Sequence, residues 1–299
     1  MSDISTKTAF IAIVGCPNVG KSSLLNKMLG QKIAIVSDKA QTTRTKIMGV
    51  LTEDETQLVF TDTPGYHKPH NKLGEKMMQA VGDSLGGIDA CLFVTESFGD
   101  IKPGEKELLE RLKKMKVPVV LAINKIDMLK NKEDILKRII TFTPYLDFAA
   151  VVPVCAVKGT GVRELLDELK KLAGESVHFF PDDTLTDQPE RVLAAEIVRE
   201  KLLRLLDKEI PHGIAVSIEL MREREDKDIL DIDATIYCER ESHKRIIIGK
   251  GGSMLKKVSS YARRDLEDFF QIKVNLQTWV KVKEDWRNRE GLIHNFGLD

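Results

Sequence analysis

Apolar residues in the first part of the chain fall into short β-branched runs separated by longer amphipathic stretches. Phe10–Val14, Gln57–Thr61, Cys91–Val94, Val117–Ile123 and Val151–Val154 read as strands, with helical spacing between them. Val117-Pro118-Val119-Val120-Leu121-Ala122-Ile123 is nearly continuous rather than alternating, as expected of a strand buried on both faces. The rhythm predicts an α/β fold with a mostly parallel sheet covered by helices on both sides. Gly174–Pro189 mixes Gly, Pro, Asp and Thr, which breaks the periodicity and predicts a connecting segment.

Beyond it the pattern changes. Arg191–Leu206 places Val192, Leu193, Ile197, Val198, Leu202, Leu205 and Leu206 on helical spacing, and Gly213–Leu220 and Ile232–Glu239 alternate as strands. Ile246-Ile247-Ile248 reads as an apolar strand end before Gly249-Lys250-Gly251-Gly252. A helix then carries Leu255, Val258, Ala262, Leu266 and Phe269 on one face, and a strand follows at Val274–Val282. The expected division is residues 1–175, a linker at 176–190, and a smaller α+β domain at 191–299.

Composition adds bounds. With 299 residues, 42% of them hydrophobic and 31% charged, the chain can fill two cores. Formal net charge is +0, so a nucleic-acid surface has to come from local clustering. Cys16, Cys91, Cys155 and Cys238 are scattered, without zinc-like spacing, and read as reduced thiols. The start, Met1–Lys7, has no apolar leader, and the longest apolar runs are strand-sized.

Three motifs then fall at the carboxyl ends of predicted strands, where open α/β sheets bind ligands. Gly15-Cys16-Pro17-Asn18-Val19-Gly20-Lys21-Ser22 matches the phosphate-cradling loop. Its backbone N–H groups and the following helix terminus surround phosphates, Lys21 neutralises the terminal ones, and Ser22 holds Mg²⁺. Asp62-Thr63-Pro64-Gly65 places a carboxylate to hold Mg²⁺ through water and the Gly65 N–H to meet the γ-phosphate. In the polar stretch Gln41-Thr42-Thr43-Arg44-Thr45, one hydroxyl is expected to close on the metal: Thr43, with Thr42 as the alternative. Lys21, Thr43 and Gly65 are therefore the residues assigned to the reaction. Asn124-Lys125-Ile126-Asp127 selects guanine over adenine, because the Asp127 carboxylate accepts from both N1–H and the exocyclic amine. Lys125 lies along the base, and Cys155, Ala156 and Val157 offer a backbone N–H to the guanine oxygen. Tyr66 stands where Ras-type switches carry a water-orienting glutamine, so slow intrinsic hydrolysis is expected.

In the second half, Gly249–Gly252 is a G-x-x-G loop, the device that clamps a single-strand backbone in KH modules. Lys250 adds charge without base preference, Ile248 an apolar contact, and Lys256 and Lys257 continue the basic face. Arg240–Arg289 carries thirteen Lys/Arg against six Asp/Glu in an otherwise neutral chain. Trp279, in an alternating strand, reads as core packing. Trp286 belongs to a terminal segment that supports the module or follows RNA. His67, His70 and His243 read as surface residues.

These residues resemble the Era family of bacterial Ras-like GTPases, in the TrmE–Era–EngA group, over essentially the whole length. The resemblance rests on Gly15–Ser23 followed by Leu24-Leu25-Asn26-Lys27, on Gly30-Gln31-Lys32-Ile33, Ala40-Gln41-Thr42-Thr43-Arg44, Asp62–Gly65 and Asn124–Asp127. In the second half it rests on Ile197–Leu202, Gly249–Gly252 and Trp279–Lys283. It implies a P-loop GTPase followed by a type II KH domain, using GTP/GDP and Mg²⁺ and binding the 3′ end of 16S ribosomal RNA during maturation of the small (30S) subunit. It also implies a cytoplasmic protein with peripheral contact at the inner membrane, implies no particular stable oligomer, and raises K⁺ at Asn18 as a further cofactor. Cysteines at 16 and 155, where the family commonly has arginine and serine, and Tyr66, where an aliphatic residue is usual, depart from the pattern. The competing reading is a signalling GTPase whose C-terminal module docks a protein or a membrane. An ATPase is disfavoured by Asn124 and Asp127.

Overall fold

The computed structural model describes residues 6–39, 41–131, 133–207 and 210–298. Met1–Ser5 of the leader reading and Ala40 of the polar motif lie outside the described residues. Up to Glu175 the elements are β1 (Lys7–Val14), α1 (Lys21–Leu29), β2 (Ile47–Glu53), β3 (Thr56–Asp62), α2 (Lys72–Asp83), β4 (Ala90–Glu96), α3 (Pro103–Met115), β5 (Val119–Asn124), α4 (Glu133–Phe142), β6 (Ala150–Pro153), α5 (Val162–Lys170) and β7 (Gly174–Glu175). There follow α6 (Glu190–Leu205), β8 (Ala215–Glu223), β9 (Ile229–Cys238), α7 (Glu241–Ile248), α8 (Ser253–Phe270), β10 (Lys273–Val282) and α9 (Glu290–Asn295). The described chain divides into two compact units. The first comprises the chain to Ala34, Thr43–Lys68 and Met77–Asp187; the second comprises Ile35–Thr42, Pro69–Lys76 and everything from Gln188.

In the first unit the strands lie in the order β2-β3-β1-β4-β5-β6, with β7 paired to β1 off this path. β3, β1, β4, β5 and β6 run parallel, while β2 returns on β3 as an antiparallel hairpin. The period of two along β1 explains why both faces are apolar. Ile11 and Ile13 join one core with Leu24 and Leu25 of α1 and Leu165 and Leu169 of α5. Ala12 and Val14 join the other, with Leu108, Leu109 and Leu112 of α3 and Phe142 of α4. Burial on both sides also accounts for the unbroken run in β5, every residue of which is buried.

The Gly/Pro-rich stretch after β7 is not free chain up to Asp187. Gln57, fully buried, accepts the N–H groups of Phe179 and Phe180 and donates to the Phe180 carbonyl. The Val50 N–H donates to Leu185 O at 2.9 Å, and Thr186 Oγ1 donates to Met48 O at 2.6 Å. Residues 176–187 thus saturate polar groups of the first unit although their composition is that of a loop.

The second unit is a three-stranded sheet, β10-β9-β8, with β9 antiparallel to β8 and parallel to β10. Its core joins Ala194, Ile197, Val198 and Leu202 of α6 to Ile232, Ala234 and Ile236 of β9 and to Val258, Ala262 and Leu266 of α8.

The structure overturns two expectations and decides between the alternatives for Trp286. Ile246-Ile247-Ile248 is not a strand end but the last turn of α7, so the glycine loop joins two helices. A triple of β-branched residues carries only a weak strand bias, and Ile247 alone of the three is fully buried. Trp279 is 43% exposed, not core. Trp286 is the core tryptophan: it is fully buried, donates Nε1–H to Gly213 O at 2.9 Å, and packs edge-to-face on Phe296.

Candidate nucleotide and nucleic-acid sites

The loop 15–20 leaves β1 and enters α1 directly, so the N-terminal N–H groups of α1 open toward the loop. Lys21 is buried, and its Nζ donates to Gly15 O and Cys16 O at 3.2 Å. Burial depresses its pKa, against the pull of Asp62. This is a desolvated cation beside carbonyls, an arrangement that an incoming phosphate stabilises.

Ser22, Thr43 and Asp62 converge beside it. Ser22 Oγ donates to Asp62 Oδ2 at 2.5 Å and lies 2.9 Å from Thr43 Oγ1. Asp62 is fully buried, and burial raises its carboxyl to about 6 although Lys21 and Ser22 oppose the rise. Its Oδ1 has no hydrogen-bond partner. An orphaned buried carboxylate oxygen next to two hydroxyls fits a small oxygen-seeking cation, so the residues present fit Mg²⁺. Thr42, the alternative to Thr43, turns instead to its own segment, donating Oγ1–H to Lys39 O at 2.6 Å.

Pro64 and Gly65 follow Asp62, and Thr63 Oγ1 anchors them by donating to Ile13 O at 2.8 Å. A Cβ on Gly65 would lie 2.6 Å from Pro17 Cα, so only glycine lets this segment approach the phosphate loop so closely. Tyr66 donates its N–H to Gly15 O at 3.0 Å and its hydroxyl to Glu107 Oε1 at 2.7 Å, an arrangement that occupies the phenol with α3.

At the far end of the site, Asn124 is buried at the end of β5. It donates Nδ2–H to Val19 O at 2.9 Å and accepts the Ala156 N–H at 3.0 Å, tying together the phosphate loop and the 155–157 turn. The Ala156 N–H is thereby engaged by Asn124. Lys125 Nζ donates to Asn18 O at 2.6 Å. Asp127, its side chain 28% exposed, lies 3.8 Å from Lys158. Cys155 Sγ accepts the Lys158 N–H at 3.4 Å, which steadies the turn before the exposed Val157. Ser23, on the first turn of α1, is half-buried.

Motif reading missed Glu96 and Arg138. Glu96 ends β4 and takes Lys125 at 2.6 Å and Lys102 at 2.8 Å. Burial raises its carboxyl, but the two lysine bonds outweigh that and leave it below the usual range. Arg138 donates to Glu96 O, Gly99 O and Thr95 Oγ1. The available signal was position: Glu96 ends its strand as Asp62 and Asn124 end theirs.

In the second unit, Gly249–Gly252 joins α7 to α8. Gly251 has φ +58, and a Cβ built on it meets nothing within 4 Å, so its outer side is open. Lys250, Lys256 and Lys257 are exposed around the loop, Ile248 is half-buried, and Lys257 lies over the ring of the exposed Tyr261 at 5.9 Å. The open backbone, the positive end of α8 and exposed lysines form a surface for a phosphodiester chain.

Comparison with known proteins bears on both sites. The family model of the 50S ribosome-binding GTPases matches residues 10–125, and that of the KH domain matches residues 209–287. The chain is 49% identical to the GTPase Era of Clostridioides difficile, over 98% of this chain and 99% of that one. It is 48% identical to the GTPase Era of Alkaliphilus metalliredigens, over 99% and 100%. Two solved structures superpose with a TM-score of 0.94 at 39% identity, each covering 98% of this chain and 99% of the other. One is a tyrosine-to-alanine variant of Aquifex aeolicus Era bound to GDP and aluminium fluoride. The other is Era with MgGDPNP and nucleotides 1506–1542 of 16S ribosomal RNA.

Proposed function

The chain belongs to the Era family of GTPases, and from that premise we propose that it is a GTP-hydrolysing switch that binds the 3′ end of 16S ribosomal RNA and assists assembly of the small ribosomal subunit. The observation that carries the reading is the pairing, in one chain, of the Ser22–Thr43–Asp62 cluster with an open G-x-x-G loop. Support comes from the relative crystallised with both MgGDPNP and 16S nucleotides, which matches over nearly the whole chain.

Each residue has a task on this reading. The 15–20 loop and Lys21 bind the phosphates. Asn124 holds the loop to the base-binding turn, and Asp127 reads guanine. Ser22, Thr43 and Asp62 would hold Mg²⁺, and the ion would supply neutralisation of phosphoryl oxygens. Gly65 presents its N–H to the γ-phosphate. With the Tyr66 hydroxyl bonded to Glu107, no side chain at that position orients water, and intrinsic turnover is slow. Potassium at Asn18 is part of the proposal; equal rates in sodium and potassium would remove it.

In the second unit, Gly249–Gly252 lets the RNA backbone approach, while Lys250, Lys256 and Lys257 supply charge and Ile248 an apolar contact. The protein works in the cytoplasm, with peripheral contact at the membrane; no helix among the described residues is long and apolar enough to cross one.

The test is binding of single-stranded RNA with the 16S 3′-terminal sequence across a salt series. Wild-type affinity should fall steeply with salt, and Gly251→Asp should abolish binding while leaving GDP affinity intact. Retained binding in that variant would favour a module that docks protein or membrane.

A further inference from the structure

Three consecutive charged residues of α6, Arg199, Glu200 and Lys201, are all buried, at 2%, 0% and 5% exposure. Buried charges are costly unless bonded, and although Arg199 Nη1 is buried with no hydrogen-bond partner among the described residues, the partners of the other groups here are specific. Glu200 Oε1 accepts the Val36 N–H at 3.0 Å. Arg204, one turn on, donates to Val36 O at 3.0 Å and to Glu200 Oε1 at 2.9 Å. Arg199 donates Nη2–H to the Thr42 carbonyl, while Glu196 grips the same guanidinium at 2.6 and 2.7 Å. Segment Ile35–Thr42 belongs to the second unit and is held by its backbone at Val36 and Thr42. On the other side of α6, Lys201 joins Glu200 Oε2, at 2.9 Å, to Asp265 of α8.

The next residue in the chain is Thr43, whose Oγ1 lies 2.9 Å from Ser22 Oγ. The peptide bond between Thr42 and Thr43 is where the chain passes from the second unit to the first. The residue assigned to sense magnesium and γ-phosphate is therefore covalently attached to a carbonyl fixed by Arg199.

We propose that Arg199 and Glu200 are positioning residues for GTP hydrolysis. They hold the backbone of Ile35–Thr42 so that Thr43 reaches the metal site, and through Lys201 and Asp265 they link that placement to α8, the helix the G-x-x-G loop precedes. This rests on the reading of Thr43 as a magnesium ligand. A hydrophobic side chain at position 199 would fill the same volume without holding the carbonyl.

The test uses the full chain and three variants: Arg199→Met, Arg199→Lys and Arg204→Ala. GDP affinity, kcat and KM for GTP, and the Mg²⁺ concentration at half-maximal rate are measured with and without RNA of the 16S 3′-terminal sequence. Arg199→Met should keep GDP affinity within about twofold, lower kcat by about tenfold or more and raise the Mg²⁺ midpoint, since one charge-assisted bond is lost. Arg199→Lys should recover part of both, and RNA should change the wild-type rate but not that of Arg199→Met. Arg204 is half-exposed, so its removal spares the core; Arg204→Ala should move the same parameters in the same direction by less, and it decides the matter if Arg199→Met fails to fold. Wild-type kcat and Mg²⁺ midpoint in the folded variants would overturn the proposal. Absence of Mg²⁺-dependent hydrolysis in the wild type would instead overturn the reading it rests on.

Discussion

Asn124 holds Val19 by a 2.9 Å bond from Nδ2 to the carbonyl, so the residue that opens the guanine motif is also a brace for the phosphate loop. Asn124→Ala leaves the Val19 carbonyl and the Ala156 N–H unpaired in a buried place, at about 1–3 kcal/mol each. Because the brace is the same for either nucleotide, titration with fluorescent GTP and GDP should show both weakened by roughly 10- to 100-fold or more. A selective loss of GTP alone would show that Asn124 acts on the γ-phosphate instead.

Asp127 has its side chain 28% exposed, and the nearest ion-pair partner is Lys158 at 3.8 Å, so the carboxylate is available to a base. Asp127→Asn turns an acceptor into a group that also donates. Competition binding should show GTP weakened by about a hundredfold or more, with xanthosine triphosphate now preferred, since two bonds to a charged acceptor are lost. Unchanged GTP affinity would remove the guanine assignment.

The cysteine in the phosphate loop should be slow to react. Burial, with Glu105 adding to it, raises the Cys16 thiol to about 11. At pH 8 that leaves about one thiolate in a thousand, so iodoacetamide should label native Cys16 at least a hundredfold more slowly than a free thiol. Labelling should become fast in denaturant. Rapid modification of the native protein, followed by mass spectrometry of the loop peptide, would contradict this.

The two tryptophans separate what a sequence pattern can and cannot resolve. Trp279 sits in an alternating strand, where the period of two suggests burial on one face, yet it is 43% exposed; Trp286, in a short irregular segment, is fully buried. Trp286→Ala should therefore destabilise the second unit by about 3–5 kcal/mol, whereas Trp279→Ala should cost about 1 kcal/mol or less. Denaturant unfolding of the two variants, read by circular dichroism, ranks them; the reverse order would contradict the packing.

The parallel sheet and its motifs were legible because the strands of the first unit are buried on both faces and each motif sits at a strand end, as in the run from Val119 to Asn124. Ile246–Ile248 was misread because local β-branching outweighed helical context over only three residues. Residues 176–187 look like a linker because their partners, such as Val50 for Leu185 and the Gln57 side chain for Phe179 and Phe180, lie far away in sequence. Glu96 is marked only by ending its strand and Arg199 only by lying within the Ile197–Leu202 run, and neither says what the side chain does; like that of Arg138, their roles lie in backbone carbonyls and ion pairs that only the fold brings within reach.

A switch of the kind proposed requires that occupancy of the nucleotide site set the grip of the KH domain, and coupling of this kind is reciprocal. The direct measurement is the affinity of the full chain for RNA of the 16S 3′-terminal sequence, at one salt concentration, with MgGDPNP and with MgGDP. Binding at least about fivefold tighter in the MgGDPNP form is the predicted result; equal affinity in the two forms would contradict it.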